Sequence, residues 1–435
     1  MQIDLTNLPT DTEALQALVR VLAGDVKSKG LLIEQLKAQI AKLKRMQFGK
    51  SSEELDHQIA QLELQLDELH EDEADAAAKS PAALQALIKE TPEKPYRKPL
   101  PDHLPLYRQS GIYAREGVEL ERSTLADWVG RCAALLDPLI EALRKDVLFS
   151  AVLHGDDTPV PVLAPGLGKT KTGRLWTYVR DGRPCGLDQP PAAVFFYSPD
   201  RRGEHPQSHL KNFKGILHAD GYAGFNAIFE RPEVTEAACW AHVRRKFFDV
   251  QEANGSPIAK EALDKIAALY AIESHVRGKP PDERQRYREG NAAPLVADLK
   301  AWLDTTLSKL SGKSELAGAM RYTLSRWKAL SHYIHDGRIE IDNNAAERSI
   351  RGIALGRKNY LFAGSDTGGN RAAAIYSLIE TCKLNTINPE AYLRDILARI
   401  PDHKINRIDE LLPWNWQAAQ NVATLAGHEP SGYHK

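Results

Sequence analysis

Residues 151–164 read AVLHGDDTPVPVLA, an apolar and β-branched run broken by two adjacent aspartates. GLGKTKTG (166–173) follows, then RLWTYVRD (174–181). Two β runs around a Gly/Thr/Lys turn predict a hairpin. PAAVFFYSPD (191–200) predicts a third strand and KGILHAD (214–220) a fourth. Strands in series that then pass into helices predict an α/β sheet that opens with antiparallel strands.

Working outward, residues 240–335 carry helical patterns (AHVRRKFFDVQ, KEALDKIAALYAIES, LVADLKAWLDTTLSKL, LAGAMRYTLSRWKALSHYI) and predict a helical insertion. DNNAAERSIRGIALGRK (342–358) returns to a helix rich in charged groups, closing a core that spans 150–375. Residues 376–416 predict a small C-terminal helical unit ending in LLPWNW, and 417–435 a loose tail. Upstream, 106–149 predict a helical connecting or DNA-binding segment, with Ser123-Thr124 capping LADWVGRCAALLDPLIEALRKDVL. Residues 79–105, rich in Ala, Pro and charge, predict a linker. Residues 1–78 predict a coiled coil or helical hairpin. Ile33, Leu36, Ile40 and Leu43 form one seam; Leu55, Ile59, Leu62, Leu66 and Leu69 form another. The first helix ends basic (Lys37, Lys42, Lys44, Arg45), and ten acidic residues follow between Ser51 and Ala78 with no Lys or Arg. Opposite charge on two apolar seams predicts pairing within a subunit or between subunits.

The 435 residues are long enough for two or three packed units, and their composition is that of a soluble protein. No apolar run reaches the roughly 18 residues of a membrane span, and MQIDLTNLPTDTEAL lacks the basic and apolar pattern of a signal peptide. Cys132, Cys185, Cys239 and Cys382 stand far apart, which predicts free thiols in a reducing cytoplasm. The net charge of −1 argues against a nucleic-acid partner only until its segregation is seen.

Transfer of phosphoryl groups between DNA strands uses two divalent ions roughly 3.5–4 Å apart. Hard ions of this kind take carboxylate oxygens. Asp156 and Asp157 follow the apolar AVLHG, Asp220 ends ILHAD before Gly221, and Glu347 lies within the predicted helix. Asn343, Glu347 and Arg351 are four apart and share one face. An aspartate at a strand end more often serves a turn. Asp342 reads as a helix cap, and Glu340 lies in a β-like IEI run one turn too early. Cations flank the acids: His242, Arg244, Arg245 and Lys246; Arg201 and Arg202; Arg348, Arg351, Arg357 and Lys358. One such cluster is usually a solvated face, whereas three beside three acids suit a phosphate backbone. GLGKT lacks the first glycine of a phosphate-binding loop, Leu163 standing there. Cys239-Trp240-Ala241-His242 has metal-ligand spacing but no second Cys/His pair, so it reads as packing.

Long stretches resemble the insertion-sequence 66 (IS66) transposase family. These are FGKSSEEL (48–55), LPLYRQSGIYAREGVELERSTLADWVG (104–130), DDTPVPVL (156–163), LKNFKGILHADGYAGFN (210–226), CWAHVRRKFFD (239–249), IEIDNNAAERSIRGIALGRKNYLFAGSDTGG (339–369) and 378–416. The resemblance implies an RNase H-like (DDE) catalytic core with a helical insertion. It places the triad on Asp156, Asp220 and Glu347, with Asp157 standing where the family's motif has Glu. It implies a Mg²⁺ or Mn²⁺ pair at those acids and action on element ends and target DNA near the nucleoid, with accessory proteins of the same element as further partners. The basic clusters add expected DNA contacts through His242, Arg245, Arg348, Arg351 and Lys358, and the N-terminal seams an expected homo-oligomer.

Members of that family carry a cysteine-rich zinc-binding segment between an RKPLP…HLP stretch and a later DHLPLYRQ stretch. Here the chain runs directly RKPLPDHLPLYRQ (97–109). An internally shortened member is expected, with its core intact, no zinc, and weakened recognition of element ends. Other expectations compatible with the residues are a nuclease or resolvase on the same core, and an inactive DNA-binding relic.

Overall fold

The computed structural model describes residues 104–164, 166, 168–356 and 360–417. The coiled coil expected over 1–78, the linker as far as 103, Lys358 and the tail from 418 lie outside the described residues. The chain enters through α1 (Leu106–Arg115) and α2 (Arg122–Leu148) and then builds β1 (Val152–Leu163), β2 (Thr170–Arg180) and β3 (Ala192–Ser198). After α3 (Glu204–His209) come β4 (Gly215–Ala219), the short α4 (Asn226–Phe229) and β5 (Val234–Ala238). The five strands form one sheet in the order β3-β2-β1-β4-β5. β1, β2 and β3 are antiparallel neighbours, whereas β4 and β5 run parallel to β1. The expected α/β sheet with an antiparallel opening is therefore present.

Two details differ from the sequence expectation. β1 does not stop at AVLHG: pairing with β2 carries it through Leu163, so Asp156 and Asp157 lie inside the strand. Its pairing with β4 ends at His154, and beyond that point this side of β1 meets only an isolated bridge from Val162 to Ala363 among the described residues. Pro159 and Pro161 are tolerated there because their missing N–H groups face no ladder partner. The IEI run is not a strand. Ile339 and Ile341 are buried, and Glu340 turns to the Arg284 guanidinium at 2.5 Å.

Residues 240–335 fold into α5 (Trp240–Asn254), α6 (Pro257–Val276), α7 (Pro281–Leu307), α8 (Glu315–Ser325) and α9 (Trp327–His335). The single helix expected over LAGAM…SHYI is broken at Arg326, whose φ of −108° and ψ of 8° leave the helical region. α10 (Asn344–Gly356), α11 (Asp366–Leu384) and α12 (Pro389–Arg399) complete the chain before the apolar turn at Leu411 and Leu412. α11 runs through position 376, where the sequence reading starts the C-terminal unit.

The faces of the sheet follow from strand alternation. Leu153, Leu217, Trp176 and Tyr178 point to one face, where Leu136, Leu139, Ile140 and Leu143 of α2 and Leu378 and Ile396 of the last helices cover them. Leu175, Val179 and Phe195 point to the other, beneath Ile350 and Ile353 of α10. The helices α5 to α9 have a second core of their own, which Ile216, Ala237 and Ala238 join to the sheet. The free edge of β3 is covered by α11: Ser377 and Thr381 hydroxyls accept the N–H groups of Phe195 and Ala193 at 2.8 and 3.1 Å. That blunts an edge which would otherwise invite pairing with another chain.

Candidate active site

The tetrapeptides Leu153-His154-Gly155-Asp156 and Leu217-His218-Ala219-Asp220 are aligned by the sheet, Leu153 pairing with Leu217 and His154 with His218. Carrying that register two residues further sets Asp156 beside Asp220. The histidines confirm that the two strands keep step, since their rings stack at 4.4 Å and 7°. The repeated Leu-His-small-Asp pattern is the signal that the sequence reading passed over.

Alternation along β1 separates the adjacent aspartates. Asp156 pairs across the ladder with Thr177, whose hydroxyl lies 3.1 Å from Ser349 of α10, so Asp156 faces α10. Asp157 pairs with Trp176 and faces the opposite side. There Arg201 donates to Asp157 Oδ1 at 2.8 Å and Arg174 lies 3.1 Å from Oδ2. Asp157 is thus a neutralised structural carboxylate. Arg201 also reaches within 3.8 Å of Asp220 Oδ2 and lies over the Tyr222 ring at 4.1 Å.

Asp220 follows β4 at the turn. Its Oδ1 accepts the Tyr222 N–H at 2.9 Å. Gly221 takes a φ of +91°, a backbone conformation that favours glycine.

Glu347 comes from α10, which Asn343 pins to β1. The Asn343 amide donates to the Gly155 carbonyl at 3.0 Å, and its Oδ1 takes the His154 ring N–H at 3.1 Å. Glu347 is 9% exposed and Asn343 fully buried, with Arg351 half-buried beside them. The stripe of Asn343, Glu347 and Arg351 therefore faces inward. Burial pushes the Asp156 carboxyl well above the usual carboxylate range, and the charges of Asp220, Asp157 and Glu347 push it further. The structure thus brings Asp156, Asp220 and Glu347 within electrostatic reach of one another.

Of the cations expected near DNA, His242 stands in the first turn of α5 with Nδ1 3.7 Å from Glu347 Oε1. Arg245 is half-buried on the same helix, and Arg348 is exposed near His154, Glu340 and Asp342. Asp342 serves as a turn residue, its Oδ1 accepting the Asn344 N–H at 3.2 Å. Arg201, noted only as one of a basic pair in the sequence, lies nearer the acids than that pattern disclosed.

An all-oxygen set of Asp156, Asp220 and Glu347 fits a hard divalent ion. Glu347 Oε1 is buried and accepts no hydrogen bond from the described residues, leaving a ligand atom in hand.

The family model described as Transposase IS66 family matches residues 100–371. The chain belongs to the IS66 transposase family. Models of the IS66 C-terminal element and of the transposase C of IS166 homeodomain match 377–414 and 35–108 of this IS66-family chain. Among curated proteins it is similar to the uncharacterized protein y4hP of Sinorhizobium fredii, 43% identical over 339 residues, covering 74% of this chain and 61% of that protein. It is also similar to the uncharacterized protein y4qI of the same organism, 39% identical over 324 residues, covering 73% and 60%. The chain spans about three fifths of the length of these relatives. No helix among the described residues is long and apolar enough to cross a membrane.

Proposed function

We propose that this chain is a DDE transposase, cutting and joining DNA strands at the ends of an insertion sequence with Asp156, Asp220 and Glu347 as the catalytic acids. One observation carries the reading: the strand register sets Asp156 beside Asp220, and the helix that Asp156 faces carries the buried Glu347. Acids are rarely gathered this way unless a cation joins them. The three side chains would hold Mg²⁺ or Mn²⁺, two ions in all. When bound, such ions activate the attacking oxygen and stabilise the leaving one. The chain's own residues fix the ligand oxygens: β1 and β4 keep step through the histidine stack, and Asn343 holds α10 so that Glu347 faces the strands.

DNA is the partner, with His242, Arg245, Arg348, Arg351 and Lys358 on phosphates and Arg201 beside them at Asp220. A sheet that opens antiparallel, continues parallel and passes into a helical insertion after β5 supports an RNase H-like core. The domain partition proposed is 1–78 coiled coil, 79–105 linker, 106–149 connecting segment, 150–375 core, 376–416 C-terminal unit and 417–435 tail. The coiled coil would pair subunits, so that two DNA ends meet in the bacterial cytoplasm. The junction at 97–109 would weaken recognition of those ends; tight, zinc-dependent binding to terminal inverted repeats in a gel shift would contradict this.

The test of the main reading is a strand-transfer assay with Mg²⁺ and a labelled terminal-repeat duplex. Joined product is expected from the wild type and none from Asp220→Asn, with folding unchanged by circular dichroism. Cuts without joined product would make the chain a nuclease, and cleavage retained by Asp220→Asn would remove the assignment.

A further inference from the structure

Glu347 has a second set of neighbours. Cys239 is the residue that leads into α5 and His242 lies in its first turn, so the C-x-x-H spacing brings thiol and imidazole to one end of that helix. Backbone ties hold this end against the approach to α10. The Trp240 N–H donates to the Ile341 carbonyl at 3.1 Å, and the Asn343 N–H donates to Cys239 Sγ at 3.2 Å. Ligand atoms of Cys239, His242 and Glu347 all fall within 4.8 Å of one another. His242 Nδ1 and Glu347 Oε1 are both buried, 3.7 Å apart, and neither has a hydrogen-bond partner among the described residues. That separation is too long for a hydrogen bond. It matches the roughly 3.3–3.8 Å between donors around a tetrahedral zinc ion with bonds of about 2.0–2.3 Å.

We propose that Cys239, His242 and Glu347 form a binding site for a borderline-soft divalent cation, zinc foremost, distinct from the oxygen-only site of Asp156, Asp220 and Glu347. A thiolate and an imidazole select zinc or cobalt over magnesium. Three protein ligands leave the fourth position open. Binding releases the Cys239 thiol proton to solvent as the metal–sulfur bond forms. The C-x-x-H spacing lacks a second Cys/His pair in the sequence; the third donor is instead a carboxylate 105 positions beyond His242. Since Glu347 belongs to both sets, zinc would draw it away from Asp156 and Asp220 and oppose DNA cleavage. That antagonism rests on the reading proposed above, whereas the site itself does not.

The test is a Co²⁺ titration of the full metal-free chain, read by the near-ultraviolet thiolate-to-cobalt charge-transfer absorption and reversed by Zn²⁺. One Co²⁺ per chain is expected to give the band. Cys239→Ser should abolish it. His242→Gln, at a partly exposed position that leaves the fold intact, should weaken binding by more than the about 10–100-fold that an outer partner costs. Asp220→Asn should leave the band unchanged. No band in the wild type, or a band that survives Cys239→Ser, overturns the site. Lost cleavage with an intact cobalt band speaks only against the catalytic reading.

Discussion

Ionising Asp156 works against the fold as long as no cation joins it. Burial and the charges of Asp220, Asp157 and Glu347 raise its folded-state affinity for a proton above the ordinary value of 3.8. The sign follows: the folded state binds more protons than the unfolded state above pH 3.8, so this group's contribution falls as pH rises through its raised value. Asp156→Asn removes the charge and keeps the shape. It should stabilise the metal-free protein at neutral pH by about 1 kcal/mol, seen as a higher melting temperature, and, under the proposed reading, abolish strand cleavage. His209 gives the opposite slope. It is buried, stacks on Phe196 at 4.2 Å, lies 3.1 Å from the Tyr178 hydroxyl, and is pushed down to about 3 by burial and by the charges of His205 and Arg144. Only the unfolded chain takes up this proton between pH 6.5 and 3, so stability is full above 6.5 and falls by about 1.4 kcal/mol per pH unit below it. His209→Gln should flatten that acid limb in denaturant melts collected from pH 7 to 4; an unchanged slope would contradict the assignment.

Asn343 supplies the buried polar tie between helix α10 and β1, beside the apolar packing of Ile350 and Ile353 on the sheet. Removing the Asn343 carboxamide strands the Gly155 carbonyl and the His154 N–H in a dry interior. Asn343→Ala should therefore cost about 2–3 kcal/mol in a urea melt and, under the proposed reading, lower cleavage, because Glu347 rides on that helix. At the β3 edge, Ser377→Ala leaves the Phe195 N–H without its acceptor and should cost about 1–2 kcal/mol by the same measurement. Which elements the amino-acid pattern disclosed follows from their chemistry. β2 and β3 are rich in Val, Phe, Tyr and Trp, β1 carries repeated Val and Leu and β4 an Ile-Leu pair, so all four are readable. β5, Val234-Thr235-Glu236-Ala237-Ala238, carries a glutamate and two alanines and offers no such texture. Asp156 and Asp220 are visible as acids at predicted strand ends, and Glu347 as an acid within a predicted helix. That Asp156 faces α10 while Asp157 faces Arg174 depends on register and packing, as does the approach of Cys239 and His242 to Glu347. Pairwise distances of this kind belong to tertiary structure and leave no trace in local periodicity.

The molecule is tied together across its insertion by buried charge. Arg288 of α7 grips Glu273 of α6 with Nε and Nη2 at 2.7 and 2.6 Å, while Arg284 reaches Glu340 on the approach to α10. The two arginines are about 1% exposed or less, so each guanidinium depends on its carboxylate in place of water. Arg288→Met should cost about 3–5 kcal/mol, since it abandons a buried charge. Hydrogen exchange should report the loss first in α6 and α7.

The insertion also spaces the acids in time. A ribosome that has finished β5 has made both aspartates and none of the helix that bears Glu347, and roughly a hundred further residues must be translated before it appears. Under the proposed reading, a prematurely terminated chain is harmless to the chromosome that encodes it, because its third ligand has yet to be synthesised. Stalled nascent chains of graded length should nick DNA only once α10 has cleared the exit tunnel, and nicking by shorter ones would refute this.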